Sequence, residues 1–172
     1  MNYAQLQALI VDDHDFTRVL IKEVLHTLGF DLNNIHEATD GGGALQVLKN
    51  RKIDLIFCDW QMEPMDGISF MRALRNPEKN QNPYLPVIFC TAFAERALIE
   101  QARDSGVNEI MTKPITAKAI EARVAKVLIS PRNFVQTEDY FGPDRRRRNA
   151  VDGPFSEDRR KRGPAAASPA KS

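Results

Sequence analysis

The sequence predicts an α/β fold, a doubly wound parallel sheet of five strands with helices on both faces. Three observations predict it. Over residues 1–130, short apolar runs alternate five times with segments of helical period. The strongest runs are apolar throughout rather than at every second residue, the pattern of strands buried on both faces. Repeated strand-then-helix units build parallel sheets, because each helix carries the chain back across a face of the sheet.

The elements follow in order. Leu9-Ile10-Val11 is the first strand. Phe16, Val19, Leu20, Val24 and Leu28 then recur at three and four, and Gly29 stops that helix. Residues 34–38 form a weaker strand, and Asp40 caps a helix containing Ala44, Leu45 and Leu48. The third strand is 54–58. Asp66-Gly67 opens a short helix through Phe70, Met71 and Leu74. The fourth strand is 86–90, followed by a helix with Ala97, Ile99 and Ala102 that ends at Gly106. A weaker fifth strand, 109–112, precedes a last helix with Ile120, Val124, Val127 and Leu128.

The 172 residues are 42% hydrophobic and 27% charged, enough apolar material for a real core. No stretch approaches the roughly 18 consecutive apolar residues of a membrane span. The first residues lack the basic region and cleavage site of a signal peptide. Two cysteines, Cys58 and Cys90, build neither a disulfide scaffold nor a zinc cluster. The expectation is a soluble, cytoplasmic protein with no membrane partner.

The net charge of +1 conceals a division near residue 130. Residues 1–130 hold 14 Lys+Arg and 17 Asp+Glu, net −3; residues 131–172 hold 10 and 6, net +4. The second segment has few aliphatic residues and no sustained period, which predicts a basic, flexible tail appended to a domain of 1–130. It repeats one element at an offset of 14 residues: Phe141, Asp144, Arg145 and Arg146, then Phe155, Asp158, Arg159 and Arg160. Its arginines, with Phe134, Tyr140 and Phe141 among them, have the composition of a nucleic-acid or acidic-protein contact. Asp139, Asp144, Asp152, Glu157 and Asp158 partly neutralise them, which argues against nucleic acid.

Chemistry in an open α/β sheet sits beyond the carboxyl ends of the strands. There the sequence places Asp12-Asp13 after strand one, Asp59 after strand three, Thr91 after strand four and Lys113-Pro114 after strand five. Three carboxylates brought together repel one another unless a cation intervenes. An oxygen-only ligand set with room for water suits Mg²⁺. A hydroxyl and an ammonium beside them suit phosphoryl transfer, which needs positioning and charge neutralisation. A carboxylate can itself be the nucleophile and form an aspartyl-phosphate. Each residue alone has an ordinary reading: a cap, a turn or a surface position. Asp15 is as good a helix cap as Asp12 or Asp13, which frees that pair. His14 lies beside the acids, but His26 and His36 show no metal-ligand spacing with it, so no histidine–metal site is predicted.

The set Leu9-Ile10-Val11-Asp12-Asp13, Asp59, Met65-Asp66-Gly67, Thr91-Ala92 and Lys113-Pro114 resembles the receiver domain of two-component response regulators. The resemblance runs from Leu9 to about Leu128. It implies a flavodoxin-like fold with strand order 2-1-3-4-5 and five helices. It implies Asp59 as phosphoacceptor, Asp13 as metal ligand supported by Asp12, and the main-chain carbonyl of Gln61 completing an Mg²⁺ site. Thr91 matches the switch hydroxyl and Lys113 the lysine that contacts the phosphoryl group; the bond to Pro114 is expected to be cis. The implied partners are a sensor histidine kinase or histidine phosphotransfer protein as donor, and an unknown output protein. Such a receiver is a phosphorylation-dependent switch, not a turnover enzyme. The sequence departs from the family pattern twice. Pro64 stands one position later than usual, after Glu63, and Ile110 replaces the switch aromatic three residues before the lysine. An aspartyl-nucleophile phosphatase and a module acting mainly through its basic tail are the competing readings. The first fits poorly, because Asp59 is followed by Trp60-Gln61 and not by a second acid two residues on.

Overall fold

The computed structural model describes residues 2–146 apart from 79, 93, 94 and 138. Five strands, β1 (Ala8–Val11), β2 (Ile35–Ala38), β3 (Leu55–Asp59), β4 (Val87–Thr91) and β5 (Glu109–Thr112), form one parallel sheet in the order 2-1-3-4-5. Five helices alternate with them: α1 (Asp15–Thr27), α2 (Gly41–Asn50), α3 (Gly67–Arg75), α4 (Arg96–Asp104) and α5 (Ala117–Ile129). This is the predicted fold class. β5 has the expected bounds, whereas β1 to β4 start or end one residue away from the apolar runs, and the shift matters: β3 takes in Asp59 and β4 takes in Thr91.

Alternate strand residues serve different cores. Leu9, Val11, Ile56, Cys58, Val87 and Phe89 pack with Ala44, Phe70, Met71, Leu74 and Ala102, so α2, α3 and α4 cover that face. Ala8, Ile10, Leu55, Phe57, Ile88 and Cys90 pack with Ile21, Leu25, Ile120, Val124 and Val127, so α1 and α5 cover the other. Cys58 and Cys90 thus face opposite sides of the sheet, both buried and unbridged. Burial pushes both thiols up and keeps them as small apolar groups.

The helix caps follow the sequence in part. Asp40 accepts from the N–H groups of Gly42 and Gly43, and Asp66 from that of Ser69. Gly29 and Gly106 end their helices at positive φ, 101° and 87°. Asp15 is not a cap. It is the first residue of α1, and His14 holds the cap position without a side-chain cap bond. The buried line of α1 also differs from expectation. Ile21 and Leu25, four apart, face the core, whereas Phe16 (81% exposed) and Val19 (55%) face outward. Both lines have helical spacing, and only the orientation of α1 against the sheet separates them.

A hairpin follows residue 130. Residues Phe134–Gln136 (β6) and Phe141–Pro143 (β7) pair antiparallel, with Val135 opposite Gly142. Phe134 and Phe141 each lie 5.3 Å from the Tyr84 ring, centroid to centroid, and 5.7 Å from each other. Arg75 is buried beneath them. Its guanidinium lies 5.1 Å from the centre of the Phe134 ring and donates to Gly106 O, Pro83 O and Asn108 Oδ1 at 3.0, 2.7 and 3.1 Å. Arg145 stacks on Tyr140 at 3.8 Å and pairs with Asp104 at the end of α4. Tyr84 and the buried Arg75 cation therefore dock a stretch expected to be a tail. The second copy of its repeated element, 155–162, lies outside the described residues. Among the described residues, no helix is long and apolar enough to cross a membrane.

Candidate functional site

The carboxyl edge of the sheet gathers the predicted residues. Asp12 and Asp13 leave β1, Asp59 ends β3, Thr91 ends β4 and Lys113 follows β5. Asp12 (1% exposed), Asp59 (5%) and Thr91 (2%) are buried polar groups at the end of an apolar sheet. The Lys113 ammonium joins two of them, 3.1 Å from Asp12 Oδ2 and 3.2 Å from Asp59 Oδ1. One ligand atom from each of Asp12, Asp13, His14 and Asp59 lies within 4.8 Å of all the others. The Lys113–Pro114 bond is cis, as the resemblance implies, and so is Glu63–Pro64.

The local fold explains this convergence. The backbone N–H of Lys113 donates to Thr91 O at 2.7 Å, and that of Trp60 donates to Cys90 O at 3.1 Å. The sheet ladder thus continues one residue past the strands and sets the three turns at one level. After Asp59 the chain loops back, and Gly67 N–H bonds Trp60 O at 2.9 Å. A Cβ at Gly67 would lie 2.5 Å from Asp59 O, so only glycine admits so close a return. Asp66 caps α3 directly behind the site. On the other side, Asp12 Oδ1 accepts from His14 N–H at 2.8 Å, and Arg18 donates to Asp12 O at 2.8 Å. Arg18 also bonds Glu37 and Asp15. Sequence reading did not single out Arg18. Its signal is weak, a cation three residues after Asp15 on the first turn of α1.

The charges answer one another. Burial pushes the Asp59 carboxyl above its ordinary value, and Asp12 adds to this while Lys113 opposes it. Burial pulls the Lys113 ammonium down, but Asp59 and Asp12 outweigh burial and hold it above the ordinary lysine value. An acid pair with only one cation between them retains a negative excess. Such a site attracts a further cation.

A cleft of about 290 Å³ opens over these groups, lined by His14, Thr17, Asp59, Trp60, Gln61, Thr91, Ala92 and Lys113. Trp60 stands at its rim, edge-on to Phe89 at 5.8 Å. Gln61 lies on the wall, two residues after Asp59. Ile110 is elsewhere. It is half-buried on β5, packed against the α2–α4 core and opposite Phe89 in the ladder.

Residues 8–125 match the response regulator receiver domain. The chain belongs to the response regulator receiver family. Its resemblance to the chemotaxis protein CheY of Pseudomonas aeruginosa reaches 39% identity over 122 residues, 71% of this chain and 95% of that one. Chemotaxis protein CheY-3 of Vibrio cholerae is 38% identical over 122 residues, 71% of this chain and 91% of that one. Among solved structures, the CheX–CheY–BeF3–Mg²⁺ complex of Borrelia burgdorferi contains a chain matched at TM-score 0.63 and 29% identity. The match covers 71% of this receiver and 88% of that chain. A receiver is a phosphorylation-dependent signalling switch, and this chain is one by family and by fold. In these comparisons the alignment spans about 70% of the chain and nearly all of each relative.

Proposed function

We propose that Asp59 takes a phosphoryl group from a phosphohistidine donor, with Mg²⁺ held by Asp13, Asp59, the main-chain carbonyl of Gln61 and, in support, Asp12. The observation that carries this reading is the placement of Asp59, buried, bonded to Lys113 and beside two further carboxylates at the mouth of a cleft. The donor set is entirely oxygen apart from His14 and opens to water, which fits a hard divalent ion. The Borrelia burgdorferi relative was crystallised with BeF3 and Mg²⁺, which supports the same ion here. When bound, the ion supplies positive charge that shields the incoming phosphoryl oxygens from the carboxylates.

The protein's own residues do the rest. One oxygen of the Asp59 carboxylate attacks phosphorus, the phosphorus–nitrogen bond of the donor breaks, and the donor imidazole leaves, taking up a proton. Lys113, already 3.2 Å from Asp59, transfers its contact to a phosphoryl oxygen as a point charge. Thr91, at the end of the neighbouring strand, donates its hydroxyl to another. The switch is a population shift. The phosphoryl group favours the arrangement in which Thr91 and Lys113 turn toward it. Ile110 takes the place of the aromatic partner in that shift. The phosphoryl source is a sensor histidine kinase or histidine phosphotransfer protein, the output is a protein partner, and the setting is the cytoplasm. The chain accepts a phosphoryl group and does not turn over a substrate.

Incubation with a small phosphodonor and Mg²⁺ should label the wild-type protein. Chelation of the ion or Asp59→Asn should abolish labelling. Undiminished labelling of Asp59→Asn would refute the assignment.

A further inference from the structure

Among the described residues, His14 is the one nitrogen ligand grouped with the site's carboxylates. Its side chain is 70% exposed, and its Nδ1 lies 2.6 Å from Asp13 Oδ1 and 3.4 Å from Asp12 Oδ1. The ring is not used as a helix cap, although His14 holds the cap position of α1. The turn that carries it is fixed at two points, by Asp12 Oδ1 on its own N–H and by Arg18 on the Asp12 carbonyl. His14 lines the cleft over Asp59, Thr91 and Lys113 and also its extension toward Glu63 and Asp66.

The four side chains are close enough to share one ion. Donor atoms of Asp12, Asp13, His14 and Asp59 lie within 4.8 Å of one another. Two donors on opposite sides of a first-row divalent ion, each at about 2.0–2.2 Å, are separated by about 4.0–4.4 Å. To seat one ion, the His14–Asp13 pair, 2.6 Å apart, separates slightly while the wider pairs draw in. Oxygen donors alone suit Mg²⁺, whereas an imidazole favours the later first-row ions.

We propose that His14 is a direct ligand, and that it shifts the metal preference of this receiver toward imidazole-preferring divalent ions of the cobalt–nickel–zinc class. This rests on the reading of Asp12, Asp13 and Asp59 as the metal site and adds a residue to it. Sequence spacing hid this ligand, because the pairing that matters is with two adjacent acids and an acid 45 residues away, not with a second histidine. The physical consequence is selectivity. Replacing a water by an imidazole strengthens binding of an ion that accepts nitrogen and leaves binding of Mg²⁺, which keeps its waters, nearly unchanged.

The protein has one tryptophan, and it stands at the rim of this site, so its fluorescence reports ions bound there. Full-length wild-type protein and the variants His14→Ala and His14→Gln would be titrated with Mg²⁺ and, separately, with Co²⁺. The visible absorption of Co²⁺ would be recorded in parallel. Both variants should weaken Co²⁺ binding at least tenfold, change Mg²⁺ binding by less than twofold, and alter the Co²⁺ absorption band. An equal loss for both ions, or no loss for either, would overturn the role of His14 and leave the carboxylate site standing. Failure of the wild-type protein to bind either ion would overturn the metal site itself, and His14 with it.

Discussion

Asp59 is the residue on which the energetics turn. Its carboxyl is held above the ordinary value of 3.8, by burial first and Asp12 second. Its ionised form is therefore less favourable in the folded than in the unfolded chain. That penalty is absent below the unfolded value, grows as pH rises through the folded value, and is complete above it. Without divalent ions, Asp59→Asn should be more stable than wild type at neutral pH, because it removes the cost of holding a buried carboxylate ionised beside Asp12. The difference should vanish as pH falls toward 3.8. Denaturant titrations of both proteins across that range, with chelator present, check it. A constant difference would mean that ionisation is not its source. At this scale the sequence was readable for a physical reason. Asp12, Asp13, Asp59, Thr91 and Lys113 each follow an apolar run, and parallel strands bring all such positions to one edge. His14 and Arg18 were less readable. Their significance lies in the side to which α1 turns its first residues, and no local pattern encodes that.

Among the elements, α3 depends most narrowly on one residue. Gly67 opens it where the loop after β3 returns to within hydrogen-bond reach of Trp60 O. A Cβ there meets Asp59 O at 2.5 Å and Trp60 Cα at 3.2 Å, backbone atoms that do not swing aside. Gly67→Ala should cost about 2–3 kcal/mol, by analogy with overpacked cores. It should also shift Trp60 emission, since the displaced loop carries that ring. A midpoint within the error of wild type in urea would contradict the packing. Asp40, Asp66, Gly29 and Gly106 show how well punctuation in a sequence marks helix ends. α1 shows the limit. Phe16–Val19 and Ile21–Leu25 share the same period, and the choice between them is made by contacts with β1, β3 and α5.

At the scale of the whole molecule, the receiver carries an addition. The sheet, its order and its two cores follow from alternating apolar runs, but the hairpin of β6 and β7 does not. Phe134 adjoins Val135 and Phe141 adjoins Tyr140, but neither pair extends into a run that would mark a core strand. They are half-buried against Tyr84 and Arg75, which meet them from elsewhere in the chain. A fragment ending at residue 146 should melt near the full-length protein, whereas one ending at 130 should melt roughly 5–10 °C lower, a loss of about 2 kcal/mol. Equal melting temperatures for the two fragments would show that the hairpin contributes nothing. The central claim, however, concerns one oxygen atom of Asp59. After reaction with a phosphodonor and Mg²⁺, borohydride converts an aspartyl-phosphate to homoserine, and peptide mass spectrometry locates it. Homoserine at position 59 alone is the predicted result; homoserine at Asp12 or Asp13, or at no position, would contradict it.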